Sequence, residues 1–233
     1  MKRIKFFLSL FCMQCLIVSP SFSQEKLMPI RGLDQMIMEL NSHEALAGRA
    51  DMTYANTNGS PYLFPDFHTG KFTLKSGESC DLDMRYDAYA DQMHIKIKGN
   101  IFGISQPEKV ATLKIDTLCF IYSPVQKKGN KSDFWFVVKT DGKCKLLIKK
   151  RVVLKAAEPE KPYQPAVPAT FVPVGDSYYM KLNDGSAVLI KNKKDILEVL
   201  ADKKNKISEF INTNKTGTKP DDLVKIVEYY NSL

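Results

Sequence analysis

The sequence predicts a mainly β protein with some α structure (α+β): an antiparallel β-meander that forms a sandwich or a partly open barrel, with C-terminal helices packed on it. Between residues 71 and 154, apolar and polar residues alternate with period two, and turn residues interrupt the alternation at short intervals. After residue 193, apolar residues recur at helical spacing instead. Of the 233 residues, 44% are hydrophobic and 26% are charged, which is the balance of a chain that folds around a core.

The first 23 residues have the three-part plan of a secretory signal peptide. Lys2, Arg3 and Lys5 form the cationic start, an apolar stretch covers residues 6–18, and small residues lead to a cleavage site after Ser23. The rest of the chain contains no run of 18 apolar residues, the length that a membrane-spanning helix requires. We therefore expect an exported mature protein, periplasmic or extracellular, without a transmembrane helix.

The mature chain divides into four predicted segments. Residues 24–70 are an N-terminal lead-in, with a short helix near residues 33–40, and residues 71–157 are the antiparallel β-meander. A Pro-rich connector covers residues 158–175. Residues 176–233 contain a hairpin and the C-terminal helices, and we expect this last segment to belong to the same globule as the meander.

The strands of the meander are predicted from the alternation and from the turns between them. Eight runs qualify: residues 72–74, 82–88, 93–97, 101–105, 110–115, 118–122, 134–138 and 144–154. In the clearest hairpin, Met84 and Tyr86 point to one face and Asp87 to the other, and His94 continues the polar face beyond the turn. This pattern predicts an apolar inner face and a solvated outer face.

The connector is marked by prolines at every third position. They are Pro159, Pro162, Pro165 and Pro168. This spacing places them on one face of a polyproline II segment, which predicts a semi-rigid connector that crosses the sheet. After it, the Asn-Asp-Gly sequence at residues 183–185 predicts the turn of a second hairpin.

Apolar stripes predict the helices at the end of the chain. One stripe covers residues 194–204 and continues to about residue 214. The last helix carries Leu223, Ile226, Val227 and Tyr230 on one side. Thr218 and Asp221 have the spacing of a capping box at its start. Helices this short require tertiary packing, so we expect them to pack on each other and on the sheet.

Three cysteines remain after removal of the signal peptide: Cys80, Cys119 and Cys144. The compartments that exported proteins enter are oxidising and permit disulfides to form. Cys119 lies within an apolar run, where a buried thiol is expected. Cys80 and Cys144 each begin a predicted strand after a turn that contains glycine, so they are the favoured pair if a disulfide forms.

The sequence gives little support to catalysis or to a cofactor. It contains three histidines, none within four residues of another, and it lacks the motifs of serine hydrolases, zinc helices, phosphate-binding loops and dinucleotide sites. We therefore expect no cofactor, and we assign no catalytic residue and no metal ligand. One alternative stays open, an extracytoplasmic hydrolase whose site assembles from Asp83, Asp87, His68 and His94.

Two clusters of cationic residues are candidates for a binding surface, with an ordinary solvated lysine face as the alternative. They are Lys143, Lys145, Lys149, Lys150, Arg151 and Lys155 on the last strand of the meander, and Lys191, Lys193, Lys194, Lys203, Lys204 and Lys206 around the first helix. On one face they would attract an anionic polymer or a membrane surface. Aromatic residues do not interleave with these lysines as base stacking requires, so nucleic acid is disfavoured.

Trp135 is the single tryptophan of the chain, and its neighbours Phe134 and Phe136 alternate onto the opposite face of the strand. Either both faces of this strand are covered, or Trp135 is an exposed contact for a partner. The candidate binding surface comprises Trp135, Lys145, Lys149, Lys150 and Arg151.

Four short runs resemble a group of uncharacterised exported proteins of Bacteroidota-type bacteria. The runs are Asn58-Gly-Ser-Pro-Tyr-Leu63, Met84-Arg-Tyr-Asp-Ala-Tyr89, the turn Asp141-Gly-Lys-Cys144, and the tail that ends Glu228-Tyr-Tyr-Asn-Ser-Leu233. The resemblance covers most of the mature chain. It implies export and transfers no activity.

The sequence as a whole indicates an exported, non-enzymatic protein with a binding or scaffolding role. We expect its partner to be an envelope protein or an anionic surface polymer. Loss of the three cationic residues of the signal peptide lowers the formal net charge from +8 to +5. That surplus suits an anionic partner, and it also serves solubility.

Overall fold

The structure is a computed structural model that describes residues 31–39, 54, 57–126 and 132–233. The predicted signal peptide lies outside the described residues. The strands are β1 Ile37–Glu39, β2 His68–Leu74, β3 Ser79–Asp87, β4 Gln92–Ile97, β5 Asn100–Ile104, β6 Val110–Ile115, β7 Leu118–Val125, β8 Ser132–Thr140, β9 Cys144–Lys155, β10 Thr170–Leu182 and β11 Val188–Leu189. The α-helices are α1 Lys193–Val199, α2 Lys204–Thr213 and α3 Pro220–Asn231.

All these strands belong to one sheet, in the order β1-β5-β4-β3-β2-β6-β7-β8-β9-β10-β11, with every neighbouring pair antiparallel. The order describes two meanders, β2–β5 and β6–β11, joined where β2 pairs with β6. The sheet curls into a half-barrel with the helices packed on it. The predicted α+β class and the antiparallel meander are therefore confirmed, in the partly open form.

The helix predicted near residues 33–40 is wrong. Leu33–Gln35 form a single 3-10 turn, and the chain then pairs with β5 as the edge strand β1. Leu33 and Met36 are buried against the main core, so these apolar residues anchor the start of a strand rather than a helical stripe.

Three hydrophobic clusters divide the interior. The largest lies inside the half-barrel and includes Phe72, Met84, Ile95, Phe120 and Trp135. The second lies between the helices and one end of β9 and β10, where it buries Leu146, Met180, Ile196, Ile207 and Ile226. The third is small and lies on the other face of β8 and β9, around Val125, Phe136, Leu147 and Ala187.

The predicted solvated face of β3 and β4 is exposed at Asp83 and Lys96, but it is covered near the turn that joins the two strands. Beyond the start of β2, residues 61–63 pair with the end of β3. The Leu63 N–H donates to the Tyr86 carbonyl (3.0 Å), and the Ala88 N–H donates to the Pro61 carbonyl (2.9 Å). Asp87 and His94, both predicted to face solvent, are 0% and 2% exposed. Polar residues at alternate positions therefore mark a buried face here.

Backbone hydrogen bonds join the two meanders at one end of the half-barrel. The Val152 N–H on β9 donates to the Ala88 carbonyl at the end of β3 (3.2 Å). Asn58 pairs with the start of β10, donating to the Ala169 carbonyl (2.9 Å) and accepting from the Phe171 N–H (2.8 Å). The lead-in segment thus fastens the curl of the sheet.

The Pro-rich residues form a projecting hairpin, not a connector that crosses the sheet. The strands on either side of it, β9 and β10, are neighbours, and β10 already begins at Thr170. Glu158 and Val167 exchange backbone hydrogen bonds of 2.8 and 2.9 Å, as do Lys161 and Gln164 at 3.0 and 2.9 Å. Pairing across the hairpin therefore replaces the predicted polyproline II segment.

The predicted disulfide is wrong, because Cys80, Cys119 and Cys144 are all free thiols. Four strands separate β3, which carries Cys80, from β9, which carries Cys144. Burial raises the pKa of Cys80 to about 11 and that of Cys144 to about 12, so neither thiol is activated as a nucleophile.

The predicted capping box at Thr218 and Asp221 is absent, because α3 begins after Lys219 without a side-chain cap. A capping box occurs instead at α1. The Asn192 side chain accepts from the backbone of Asp195, and the Asp195 carboxylate accepts from the backbone of Asn192. This box fixes the turn that leads from β11 into the helices.

We expect Asn231→Ala to lower the free energy of unfolding by about 2 kcal/mol, because it leaves a buried backbone donor without a partner. The Asn231 amide accepts from the Cys144 N–H (2.8 Å) and donates to the Cys144 carbonyl (2.9 Å), which ties α3 to β9. Urea unfolding measures the change. Ser232→Ala, which removes an exposed hydroxyl that bonds within α3, is the control and should have little effect. Equal stability of the two variants would contradict this role.

Candidate ligand-binding cleft

Strands β7–β11 curl around the third hydrophobic cluster, and the chain entering β11 meets β7 again. The Ala187 N–H donates to the Pro124 carbonyl (2.7 Å), and the Gln126 N–H donates to the Ala187 carbonyl (2.9 Å). Residues 188–189 then pair with β10. We term this second curl the β7–β11 curl, and its mouth opens into a cleft of about 960 Å³.

The cleft has an apolar lining of aliphatic and aromatic side chains, contributed by Val125, Phe134, Tyr179, Val188 and Leu189. Behind them, the Phe136 ring meets Tyr179 edge-on, with centroids 4.9 Å apart. The turn between β3 and β4, at residues 88–91, also lines the cleft. A concave, mostly apolar site of this volume at the mouth of a curled sheet is typical of small-molecule sites.

Lys149 lines the cleft but is held by the protein itself, with 5% of its surface exposed. Its ammonium donates to the Tyr86 hydroxyl (2.8 Å) and to the Trp135 carbonyl (3.4 Å), and it forms an ion pair with Asp91. Three partners match the three donors of an ammonium group. Lys149 therefore joins β9 to the β3–β4 turn and has no donor left for a ligand.

Asp91 is the other half of this bridge. Its backbone lies in the left-handed region (φ 57°), and its carboxylate accepts from the Tyr86 hydroxyl (2.7 Å) and from the Trp135 N–H (3.3 Å). Burial raises the pKa of Asp91 and lowers that of Lys149, and in each case the charge of the partner opposes the shift. Each charge depends on the other to remain ionised in this site.

Two further cations at the cleft are open to a ligand. Arg151 and Lys191 are exposed, and within the described part of the chain neither forms an ion pair. Arg151 lies close enough for its charge to act on both Tyr179 and Lys149. Burial raises the pKa of Tyr179 and the charge of Arg151 opposes that shift, whereas burial lowers the pKa of Lys149 and the charge of Arg151 adds to that shift. Asp195, the remaining acid in the lining, accepts from the Lys191 N–H (2.7 Å) and the Asn192 N–H (3.0 Å).

The structure does not assemble the predicted binding surface. Trp135 is 2% exposed and packs edge-on against Tyr122, and Lys149 is buried as described. Lys145 pairs with Asp141, and Lys150 pairs with Asp176 at 2.7 Å. The interpretation in which both faces of this strand are covered is confirmed, and the interpretation of Trp135 as an exposed contact is wrong. The lysines of β9 do not form a continuous open face, because burial and local acids use their side chains. Of the five predicted residues, Arg151 alone is an open charge at the cleft.

Sequence reasoning missed the residues that complete the cleft. The sequence places Lys191 in a cationic cluster without indicating a site, and it does not single out Asp91. The one sequence signal for the aromatic part of the lining is that Phe134 and Phe136 share the face of their strand opposite Trp135. Nothing local to Tyr179 or Leu189 indicates that the sheet curls and brings them to β7.

The four residues of the hydrolase alternative are not brought together. His68 lies opposite Met84, on the core-facing side of the sheet, and its Nδ1 is 2.9 Å from Asp116. Asp83, Asp87 and His94 belong to the other face, where Asp83 is exposed and accepts from the Thr69 hydroxyl (2.6 Å). None of the four lines the cleft.

Asp87 and His94 lie instead in a buried polar cluster beneath the lead-in segment. The Asp87 carboxylate accepts from the Tyr54 hydroxyl (2.9 Å) and from the backbone of Tyr89 (3.0 Å) and Ala90 (2.8 Å). Neither ring nitrogen of His94 has a hydrogen-bond partner among the described residues, and Nε2 is 4.0 Å from Asp87. Burial lowers the pKa of His94 to about 4, so the ring is neutral near neutral pH.

Comparisons with protein-family models, with curated proteins and with solved structures find no match for this chain. Among the described residues, no helix is both long and apolar enough to cross a membrane. The same residues contain no group of three or more His, Cys, Asp or Glu side chains placed to hold a metal ion.

Proposed function

We propose that this protein is an exported, non-catalytic binding protein and that the cleft at the mouth of the β7–β11 curl is its ligand site. The observation that carries the proposal is the combination of unpaired Arg151 and Lys191 with an apolar and aromatic lining in a cleft of about 960 Å³. Sites of this kind bury small ligands and orient them with a few polar groups. Export rests on the signal-like residues 1–23.

The charged groups at the cleft favour binding over hydrolysis. A hydrolase needs an acid or base that is free to exchange a proton with the substrate. Asp91 and Lys149 are committed to each other, and Asp195 caps α1. The two open groups are cations, and an arginine stays protonated in proteins. These groups can hold an anion but are poorly suited to general acid–base chemistry.

Val153→Trp tests the site directly, because Val153 lines the cleft and a bulky indole there would take up space that a ligand needs. In a thermal-shift panel on residues 24–233 with alkyl and aryl acids, their amides and neutral sugars, we expect at least one class to stabilise the wild type. Val153→Trp should lose that stabilisation. Val167→Trp, the same substitution on the projecting hairpin where Val167 is 52% exposed, should retain it. Equal ligand shifts in both variants would place binding outside the cleft.

A further inference from the structure

We infer that the ligand of the cleft is an amphiphilic monoanion, an apolar body that ends in one carboxylate, with the carboxylate held by Arg151 and Lys191. The inference rests on the proposed function of the same cleft and adds the chemical class of the ligand. It follows from three properties of the described residues: the charge that remains unpaired, the geometry of the groups that carry it, and the character of the lining.

The unpaired charge at the cleft is positive. Lys149 and Asp91 cancel each other, and the Asp195 carboxylate is satisfied by backbone N–H groups. Arg151 and Lys191 remain, both exposed and without an ion-pair partner in the described part of the chain. With the charge of Asp195 included, the lining has a net charge of +1, which a ligand with one anionic group would neutralise without displacing any contact that the protein makes with itself.

The cationic groups suit a carboxylate. A guanidinium presents a planar pair of N–H donors that matches the two oxygens of a carboxylate, and the ammonium of Lys191 adds a point charge in the same cleft. The Tyr179 phenol lies within the field of Arg151, so the anion-binding group adjoins the aromatic lining. A carboxylate at Arg151 would therefore leave the rest of the ligand in contact with apolar side chains.

The lining fits an apolar body rather than a chain of sugars. Val125, Phe134, Leu154, Val188 and Leu189 supply aliphatic and aromatic surface. An extended anionic polymer would need several unpaired cations along one face, whereas Lys145 and Lys150 already pair with acids of this chain. The cleft therefore favours a small anionic amphiphile over the anionic surface polymer that the sequence suggested.

Isothermal titration calorimetry with three probes separates the two halves of the inference. Decanoate has both the anion and the body, decanamide has the body alone, and acetate has the anion alone. We expect decanoate to bind residues 24–233 at least about tenfold more tightly than either other probe, since charge-assisted hydrogen bonds contribute more than neutral ones. The advantage over decanamide should decrease at high salt, because Arg151 and Lys191 are exposed to solvent.

Arg151→Gln should weaken decanoate binding about tenfold or more and leave decanamide binding unchanged. Lys114→Gln, which removes one positive charge from an exposed position on β6 outside the cleft, is the matched control and should bind decanoate like the wild type. Equal affinity of the wild type for decanoate and decanamide would overturn the inference, as would an Arg151→Gln variant that binds decanoate normally.

The failures of the inference and of the proposed function are distinguishable. If another class of ligand stabilises the wild type and Val167→Trp but not Val153→Trp, the cleft is a binding site and the carboxylate inference is wrong. If decanoate binds the wild type and Val153→Trp with equal affinity, the cleft is not the site, and both statements fail.

Discussion

Lys149→Met is expected to lower the free energy of unfolding by about 3–5 kcal/mol, because it leaves the Asp91 carboxylate partly buried without its cation. Asp91 retains the Tyr86 hydroxyl and the Trp135 N–H, which supply hydrogen bonds but no charge. The ion pair also joins β9 to the β3–β4 turn, so its loss removes one of the contacts between the two meanders. Urea unfolding at neutral pH measures the change.

Two further variants test whether the loss of stability comes from the unpaired Asp91 carboxylate. The double variant Asp91→Asn with Lys149→Met removes both charges, so it should recover a substantial part of the lost stability. Lys150→Met breaks the neighbouring pair with Asp176, whose side chains are 29% and 28% exposed, and it should cost at most about 1 kcal/mol. A Lys149→Met variant no less stable than Lys150→Met would show that the bridge is not a structural element.

The wild type is expected to lose about 3 kcal/mol of stability between about pH 6.5 and pH 4, through the protonation of His94 alone. Burial lowers the pKa of His94 to about 4 in the folded protein, whereas an unfolded histidine titrates near pH 6.5. Between these values the unfolded state binds the proton more readily. The neutral His94 ring therefore contributes its full share of the stability above about pH 6.5, the pKa in the unfolded state. This share is lost as the pH falls to the folded-state pKa of about 4.

His94→Phe isolates this contribution, because it keeps a ring against Tyr62 (centroids 5.7 Å apart in the wild type) and removes the two nitrogens that have no partner. The variant should lose less stability than the wild type on acidification. Burial raises the pKa of Asp87, so its effect on the pH dependence of stability has the opposite sign. That effect is present in both the wild type and the variant. Urea unfolding at a series of pH values provides the comparison, and a His94→Phe profile parallel to that of the wild type would show that His94 titrates normally.

Much of the fold could be predicted because its signals are local. Strands β3 and β4 alternate cleanly, turns with glycine or asparagine separate the strands, and the apolar stripe of α3 matches its buried residues Leu223, Ile226, Val227 and Tyr230. Alternation does not distinguish a solvated polar face from a covered one. The predicted solvent exposure of Asp87 and His94 is wrong for this reason, since the cover comes from Tyr54 and from residues 57–63, which are distant in the sequence.

The candidate site is harder to predict from the sequence, because it depends on which charged side chains form ion pairs. Lys145, Lys149, Lys150 and Arg151 look alike as a cationic run, yet the first three are neutralised by Asp141, Asp91 and Asp176. Arg151 has no ion-pair partner among the described residues, and the curl of the sheet brings Lys191, which follows β11, to the same cleft. These pairings are set by strand order and by the curl, which the sequence pattern does not specify.

The most direct test of the ligand site is a map of amide chemical-shift changes in wild-type residues 24–233 as decanoate is added in amide proton–nitrogen NMR spectra. We expect the largest changes at Arg151, Val153, Tyr179, Val188 and Leu189, which line the cleft, and none at the projecting hairpin of residues 158–167. Saturable changes centred on the hairpin or on α2 and α3, with none at the cleft, would contradict the assignment of the ligand site.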